Sequence, residues 1–396
     1  MAEGPNSTSK QTSTALPNGV ITAPTAFSVN VNPTSLSLSK LRSCTKYKYD
    51  WRVKSRHSLL PEDQPRCQPF AFRPRGSLST HPSLDALFNI EPADEWYSMN
   101  RYKHFKMNDT DFRTNSFIWV ANEQTFALRR QQHDNEQTQA QSKKRPRIEP
   151  REYGWVGLIL EIRARDENNV FLRLAWMYWP DDLPECRITG GGMIGGRQEY
   201  HGRCEVIGSN HMDIINAATV SALASVTHWT EFDGETHMSL YWRQVLDVRT
   251  SELTSVQPIC TCQRPDNPDK LTIGCPNDDC LTWNHAECVI DAILSLTLDH
   301  FGTQTPRRDE DDSLDPTRLS VLNPWRFSSK WNAQVAAKKP WKMFFTGRLV
   351  RLQSAAQKDI SSAPPFVEVS DLRDLSEGLK VWIEPVFCLA CCTIVE

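Results

Sequence analysis

The sequence predicts a mainly β protein with two ordered modules behind a long disordered N-terminal region, and three observations carry that expectation. One is a hairpin signature between Trp155 and Pro180. Another is a series of cysteines and one histidine beyond residue 259 at metal-ligand spacing. The last is the composition of residues 1 to 90, rich in Ser, Thr, Pro and Asn without sustained periodicity, which cannot offset its ordering entropy.

In the hairpin, Val156 to Ile162 is apolar with little interruption, Asp166-Glu167-Asn168-Asn169 supplies turn chemistry, and Val170 to Trp179 is β-branched and aromatic. Side chains alternate along a strand, so Trp176 and Tyr178 share one face and Met177 and Trp179 the other. Trp155, at the start of the partner strand, is a candidate third wall. Three aromatic faces around a void suit a quaternary ammonium or a methylated lysine, because ring quadrupoles attract a cation that donates few hydrogen bonds to water. Core packing is the competing reading, since sheets bury aromatics without any ligand.

The chain has 396 residues and a formal charge of -3, so it exerts no global attraction on nucleic acid. Its 25 prolines and mean hydropathy of -0.50 fit sizeable unfolded parts. No apolar run approaches a membrane span and the polar start is not a secretory signal, so a soluble intracellular protein is expected. Twelve cysteines in such a chain argue for thiols or metal ligands over a disulfide framework. Cys44 and Cys67 fall in the N-terminal region without partners at ligand spacing.

The first ordered module is expected over residues 91 to 252, with a Gln-rich basic insertion at 123 to 150. Phe117 to Val120 reads as a strand before that insertion. Within the insertion Lys143, Lys144, Arg145 and Arg147 form a solvated cluster beside Pro146, suited to capture by a nuclear import receptor; an ordinary charged loop is the alternative. The glycines at 190 to 192 and 195 to 196 lack a following Gly-Lys-Ser/Thr and read as a flexible loop. On an extended Ser209 to Asp213, His211 and Asp213 face the same way, and without a nucleophile beside them contact with a peptide is the expected use. Val220 to Trp229 and Leu240 to Val248 read as further strands.

The second module, residues 256 to 396, carries Cys260-x-Cys262, Cys275-x4-Cys280, His285-x2-Cys288 and Cys388-x2-Cys391. Eight ligands make two tetrahedral sites. Thiolate and imidazole are the ligands zinc prefers, and sites closed by four protein ligands are structural. A long insertion at about 300 to 378 separates the last pair from the rest. Its Arg307 to Asp312 charge block and its Asn323-Pro324-Trp325 and Lys339-Pro340-Trp341 islands either dock another surface or belong to a plain loop expansion.

The ligand order, four cysteines, one histidine and three cysteines, resembles a PHD finger. That family interleaves its ligands, which implies Cys260, Cys262, His285 and Cys288 on one zinc ion and Cys275, Cys280, Cys388 and Cys391 on the other. Trp382 matches the aromatic placed ahead of the last pair, and Cys392 competes with Cys391. PHD fingers commonly read the histone H3 tail at lysine 4, unmodified or trimethylated. Trp283 matches one cage position of the methyl-reading type and is a candidate peptide contact, whereas Ile259 and Asp266-Asn267-Pro268 stand where such readers carry tyrosine.

Residues 96 to about 250 resemble a BAH domain, a β-barrel-like fold, through Trp155-Val156-Gly157, Leu174 to Pro180, Gly196 to Gly202 and Ser209 to Asp213. A BAH domain followed by a PHD finger resembles the BAH-PHD readers of plants and fungi, which bind trimethylated lysine 27 of histone H3 in polycomb-type repression. The resemblance implies a cage of Trp155, Trp176 and Tyr178, with Trp155 replacing a frequent tyrosine while keeping a π face. It implies peptide contacts from His211 and Asp213, the histone H3 tail and nucleosome as partners, a repressive chromatin complex, and a nuclear location. A non-enzymatic chromatin reader is therefore expected, with no membrane partner or small-molecule substrate, since no nucleophile-base pair, open metal site or cofactor fingerprint is present. The alternative is a zinc-dependent scaffold or ligase-type adaptor with DNA or protein contacts and no methyl-lysine binding.

Overall fold

The computed structural model describes residues 27–32, 66–72, 84–122, 125, 149–229, 239–302, 339–351, 364–373 and 380–395. The import candidates Lys143, Lys144, Arg145 and Arg147, the Arg307 to Asp312 block and Trp325 lie outside them. The chain divides into two compact units, residues 1–198 with 203–255, and residues 199–202 with 256–396. The expected mainly β class is the observed one.

Residues 1 to 90, expected to be disordered, supply three strands to the first unit. β1 (Ser28–Val31), β2 (Arg66–Gln68) and β3 (Ala86–Glu91) form an antiparallel sheet in the order β1-β3-β2. Phe27, Phe88 and Ile90 bury against Trp96 of the short helix α1 (Ala93–Ser98) and against Met212 and Ile214. Phe72 enters another cluster beside Gly208, where a Cβ would stand 2.9 Å from the Phe72 ring. The physical reason is that a few phenylalanines scattered through a polar background bury large apolar areas, at about 25 cal/mol per Å², while leaving the average composition polar. Cys67 on β2 is disulfide-bonded, where composition favoured a thiol.

β4 (Phe117–Val120), β5 (Trp155–Ala164), β6 (Val170–Tyr178) and β7 (Ile207–Asn216) are successive antiparallel neighbours within a ten-stranded sheet. The β5-β6 turn closes as its residues dictate: Asp166 Oδ1 accepts from the backbone N–H groups of Asn168 and Asn169 at 2.9 Å. β8 (Val220–Leu223) follows β7 after one 3-10 turn, yet pairs with β4 on the far side of β6 and β5. Chain neighbours can occupy such positions only if the sheet curls, which produces the barrel-like form. Each side of the hairpin is buried, Val156, Leu158, Ala175 and Met177 in one cluster and Ile159, Leu172, Leu174 and Trp176 in another. The two later strand expectations are each interrupted, at Ala224–Ser225 and at Arg243–Gln244, the second break leading into β9 (Val245–Asp247), which pairs with β7.

In the second unit β10 (Thr272–Gly274) pairs with β11 (Trp283–His285), which runs directly into helix α2 (Ala286–Phe301). The segment at about 300 to 378, expected as a loop insertion, provides two strands of a three-stranded sheet in its described part. β12 (Phe345–Arg351), β13 (Pro365–Asp371) and β14 (Lys380–Pro385) lie antiparallel in that order. Val367 and Val369 are fully buried with Val289, Ala292 and Ile293 of α2, while Glu368 between them accepts from Arg348 at 2.7 Å on the outer face. Period-2 alternation is therefore present, but in runs so short that the apolar face is recognisable only once α2 supplies its partner. Among the described residues no helix is long and apolar enough to cross a membrane.

Candidate functional site

The β5-β6 register pairs Val156 with Met177 and Gly157 with Trp176, so the next step places Trp155 beside Tyr178. Trp155, Trp176 and Tyr178 consequently project from one face, as strand alternation requires. The Trp155 and Trp176 rings stand 5.5 Å apart at 85°, making a corner with two π faces. β7 adds a fourth ring: His211 Nδ1 lies 2.8 Å from the Tyr178 hydroxyl, and the two rings are 5.9 Å apart. With Met177, Trp179 and Asp182 these residues line one pocket of about 330 Å³, open solvent included. Core packing and pocket lining both apply to Trp176, which is 4% exposed and belongs to a hydrophobic cluster; Trp155 and Tyr178 are half-buried.

The electrostatics of the pocket favour a cation. Burial pushes the His211 imidazole down to about 4, so it is neutral at physiological pH, and pushes the Tyr178 phenol up to about 12. The walls are thus uncharged rings, and among the described residues Asp182 is the sole carboxylate lining the pocket. Asp182 follows Trp179 in the turn Pro180–Asp182, and its Oδ1 accepts from Arg151 Nη2 at 2.5 Å. Asp213, the other expected peptide contact, does not line this pocket. Its carboxylate accepts from the Ile214 N–H at 2.7 Å, and burial raises its pKa against that bond and the nearby Trp176 indole. The indole Nε1 of Trp176 is itself buried with no partner at hydrogen-bond distance.

In the second unit the structure brings together Cys260, Cys262, His285 and Cys288 in one group and Cys275, Cys280, Cys388 and Cys391 in another, with the ligand atoms of each within 4.8 Å of one another. A tetrahedral ion with metal-sulfur bonds near 2.3 Å sets its sulfurs about 3.8 Å apart. Cys280 and Cys388 Sγ are 3.8 Å apart, and Cys275 and Cys391 Sγ 3.5 Å. Each donor set fits a metal ion. His285 presents Nδ1 to Cys262 Sγ at 3.3 Å while Nε2 faces the Pro265 carbonyl at 3.0 Å, which fixes the ring's orientation for ligation through Nδ1. Around the groups, Arg264 donates to Cys288 Sγ at 3.8 Å and to Glu199 at 2.8 Å, and the fully buried Asn284 donates to Cys388 Sγ at 3.6 Å. Cys392, the competitor of Cys391, has φ 62° and stands outside the second group. Trp283 is 49% exposed, its ring edge against Gly274.

Sequence reasoning missed Asp182 and the place of His211 as a pocket wall. The available signal for Asp182 was the Pro180-Asp181-Asp182 turn directly after an aromatic strand; nothing local pointed His211 at Tyr178.

Fold and site together define a protein with one unit bearing a ring-lined pocket and another bearing two four-ligand thiol-rich clusters. No family model matches the chain. It is 29% identical over 163 residues to the chromatin remodeling protein EBS of Arabidopsis thaliana, covering 40% of this chain and 64% of that protein. It is 28% identical over 135 residues to the chromatin remodeling protein SHL of the same plant, covering 33% of this chain and 54% of SHL. The chain therefore spans less than two thirds of the curated relatives it matches. The crystal structure of the yeast Rsc2 BAH domain aligns over 37% of this chain and 51% of its own at 13% identity, with a TM-score of 0.24. Together with the motifs of both modules, the two plant relatives put the chain's likeness among BAH-PHD chromatin proteins.

Proposed function

We propose that this protein is a nuclear, non-enzymatic chromatin reader that binds a methylated lysine of the histone H3 tail between Trp155, Trp176 and Tyr178. The observation that carries the reading is the right-angled Trp155-Trp176 corner in a pocket of neutral rings. A methylated ammonium placed there meets several π faces and loses little hydration, since each methyl group has already replaced an N–H. Trimethylated lysine 27 is the assigned mark, following the BAH-PHD resemblance, and transcriptional repression on the nucleosome is the assigned role. His211 holds the Tyr178 wall in place and, with Asp213, fixes the register of the bound tail. Two zinc ions on the two Cys/His groups act as structural cross-links, and Trp283 offers the second unit a contact for the H3 N-terminus.

The test is titration of the full chain, purified with zinc, against H3 tail peptides that are unmodified or trimethylated at lysine 4, 9 or 27. Micromolar binding to the lysine 27 peptide is expected, because an ordered tail gives up its chain entropy. Trp155→Ala should weaken it roughly tenfold or more while the fold persists, Trp155 being only half-buried. A folded protein that binds none of the peptides would sink the reading.

A further inference from the structure

The methyl-lysine pocket contains a charged group that the aromatic-cage reading does not use. Asp182 lines it together with the four rings, and its side chain is 16% exposed. Oδ1 is taken by Arg151, whose turn, Pro150–Tyr153, leads directly into Trp155; Oδ2 accepts no hydrogen bond among the described residues. Arg151 also approaches Asp181 at 4.0 Å, and Asp181 is bound by Arg197 at 2.9 Å. The two turns that flank the pocket are thus tied by an ion pair that leaves one carboxylate oxygen open.

Resting on the reader reading, we propose that Asp182 sets the methylation-state preference of this pocket, so that dimethyl-lysine is bound at least as well as trimethyl-lysine. A trimethylammonium has no N–H and gains from Asp182 only the attraction between opposite charges. A dimethylammonium has one N–H, which Oδ2 can accept in a charge-assisted hydrogen bond. The charge attraction is common to both ligands, and the hydrogen bond offsets the extra hydration that the dimethylammonium N–H gives up and the ring contact its missing methyl forgoes. His211 does not compete for this role: burial keeps its imidazole neutral, and its Nδ1 faces Tyr178. Arg151 keeps the Asp182 side chain in place and does not itself line the pocket.

The experiment titrates the full chain and its Asp182→Asn variant with lysine 27 H3 peptides carrying no, one, two or three methyl groups, with Trp155→Ala in parallel. For the native chain the dimethyl peptide should bind as tightly as the trimethyl peptide or tighter. In Asp182→Asn the dimethyl peptide should lose about tenfold relative to the trimethyl peptide, the scale of one hydrogen bond to a charged group. A merely structural part for Asp182 would lower both affinities by the same factor, leaving their ratio unchanged, and that result overturns the proposal. So does a native chain that prefers the trimethyl peptide by tenfold or more. If Trp155→Ala abolishes binding while the ratio is unmoved by Asp182→Asn, the reader reading stands and this inference falls. If no methylated peptide binds the folded native chain, both fall.

Discussion

The pocket of the first unit and the metal groups of the second solve the same problem, holding several side chains in fixed relation, by opposite means. Trp155, Trp176 and Tyr178 come from two consecutive strands joined by a five-residue turn, and a ladder of backbone bonds, bulged once at Ile159–Glu161, sets their register. The second metal group joins Cys275 to Cys391, 116 residues away, and among the described residues no strand ladder runs between them. A site on a hairpin inherits its geometry from the sheet and is preorganised without a ligand. A site assembled from remote segments needs a cross-link, and the proposed zinc ions supply one whose binding free energy is also folding free energy.

The sharpest way to break this comparison is to remove the metal. Chelation of the full chain should abolish hydrogen-exchange protection in residues 260–290 and 386–394, a loss on the scale of the roughly 10 kcal/mol or more that structural zinc contributes. Protection of β5, β6 and β7 should remain. Equal loss in both units would show that the first site is no more self-supporting than the second.

The next largest effect separates the two kinds of pocket wall. Trp176→Ala should lower stability by about 3–5 kcal/mol as well as remove binding, since a nearly buried indole leaves a cavity. Trp155→Ala should act on binding with little change in thermal midpoint. Equal destabilisation by the two substitutions, seen in denaturant melts, would mean that Trp155 is also core.

A smaller effect is expected around the second metal group. Asn284 is fully buried, donates to Cys388 Sγ and accepts from the Leu389 N–H at 3.3 Å, which holds the last ligand pair. Asn284→Ala should weaken zinc retention about ten- to one-hundredfold in a competition assay with a chromogenic chelator. Unaltered retention would mean that the sulfur cage positions itself.

The effect that vanishes at neutral pH is that of protonation. His211 is depressed to about 4 in the folded chain, against an ordinary value near 6.5. The unfolded chain therefore binds the extra proton first. The contribution is fully present above about pH 6.5 and is lost as pH falls toward 4, at up to roughly 1.4 kcal/mol per pH unit. NMR titration of the His211 ring should show no protonation down to pH 5. A midpoint near 6.5 would mean that the imidazole is solvated and not a closed wall.

Much of this architecture was legible because its determinants are local. The β5-β6 hairpin is written in an apolar run, an Asp-Asn turn and an aromatic run, and alternation by itself puts Trp176 beside Tyr178. The two ligand groups were legible for another reason: sulfur and imidazole at short spacing have few other uses, and the interleaved order of a resembling family assigned their pairing. The strands at 28–31, 66–68 and 86–91 were not legible, because each is a short run set in a Ser/Thr/Pro-rich background and much of what it packs on, Gly208, Met212 and Ile214, lies elsewhere in the chain. The same holds for Val367 and Val369, whose burial depends on α2.

What the sequence determined by itself was therefore chemical type and local pairing: which strands turn back on each other, which rings share a face, and which atoms are fit to hold a metal. Only the tertiary structure decided that β7 brings His211 against Tyr178, that burial leaves that imidazole neutral, and that the turn after β6 turns Asp182 toward the rings. Those outcomes depend on contacts between segments far apart in the chain and on exclusion of water, and neither is a property of any short run of residues.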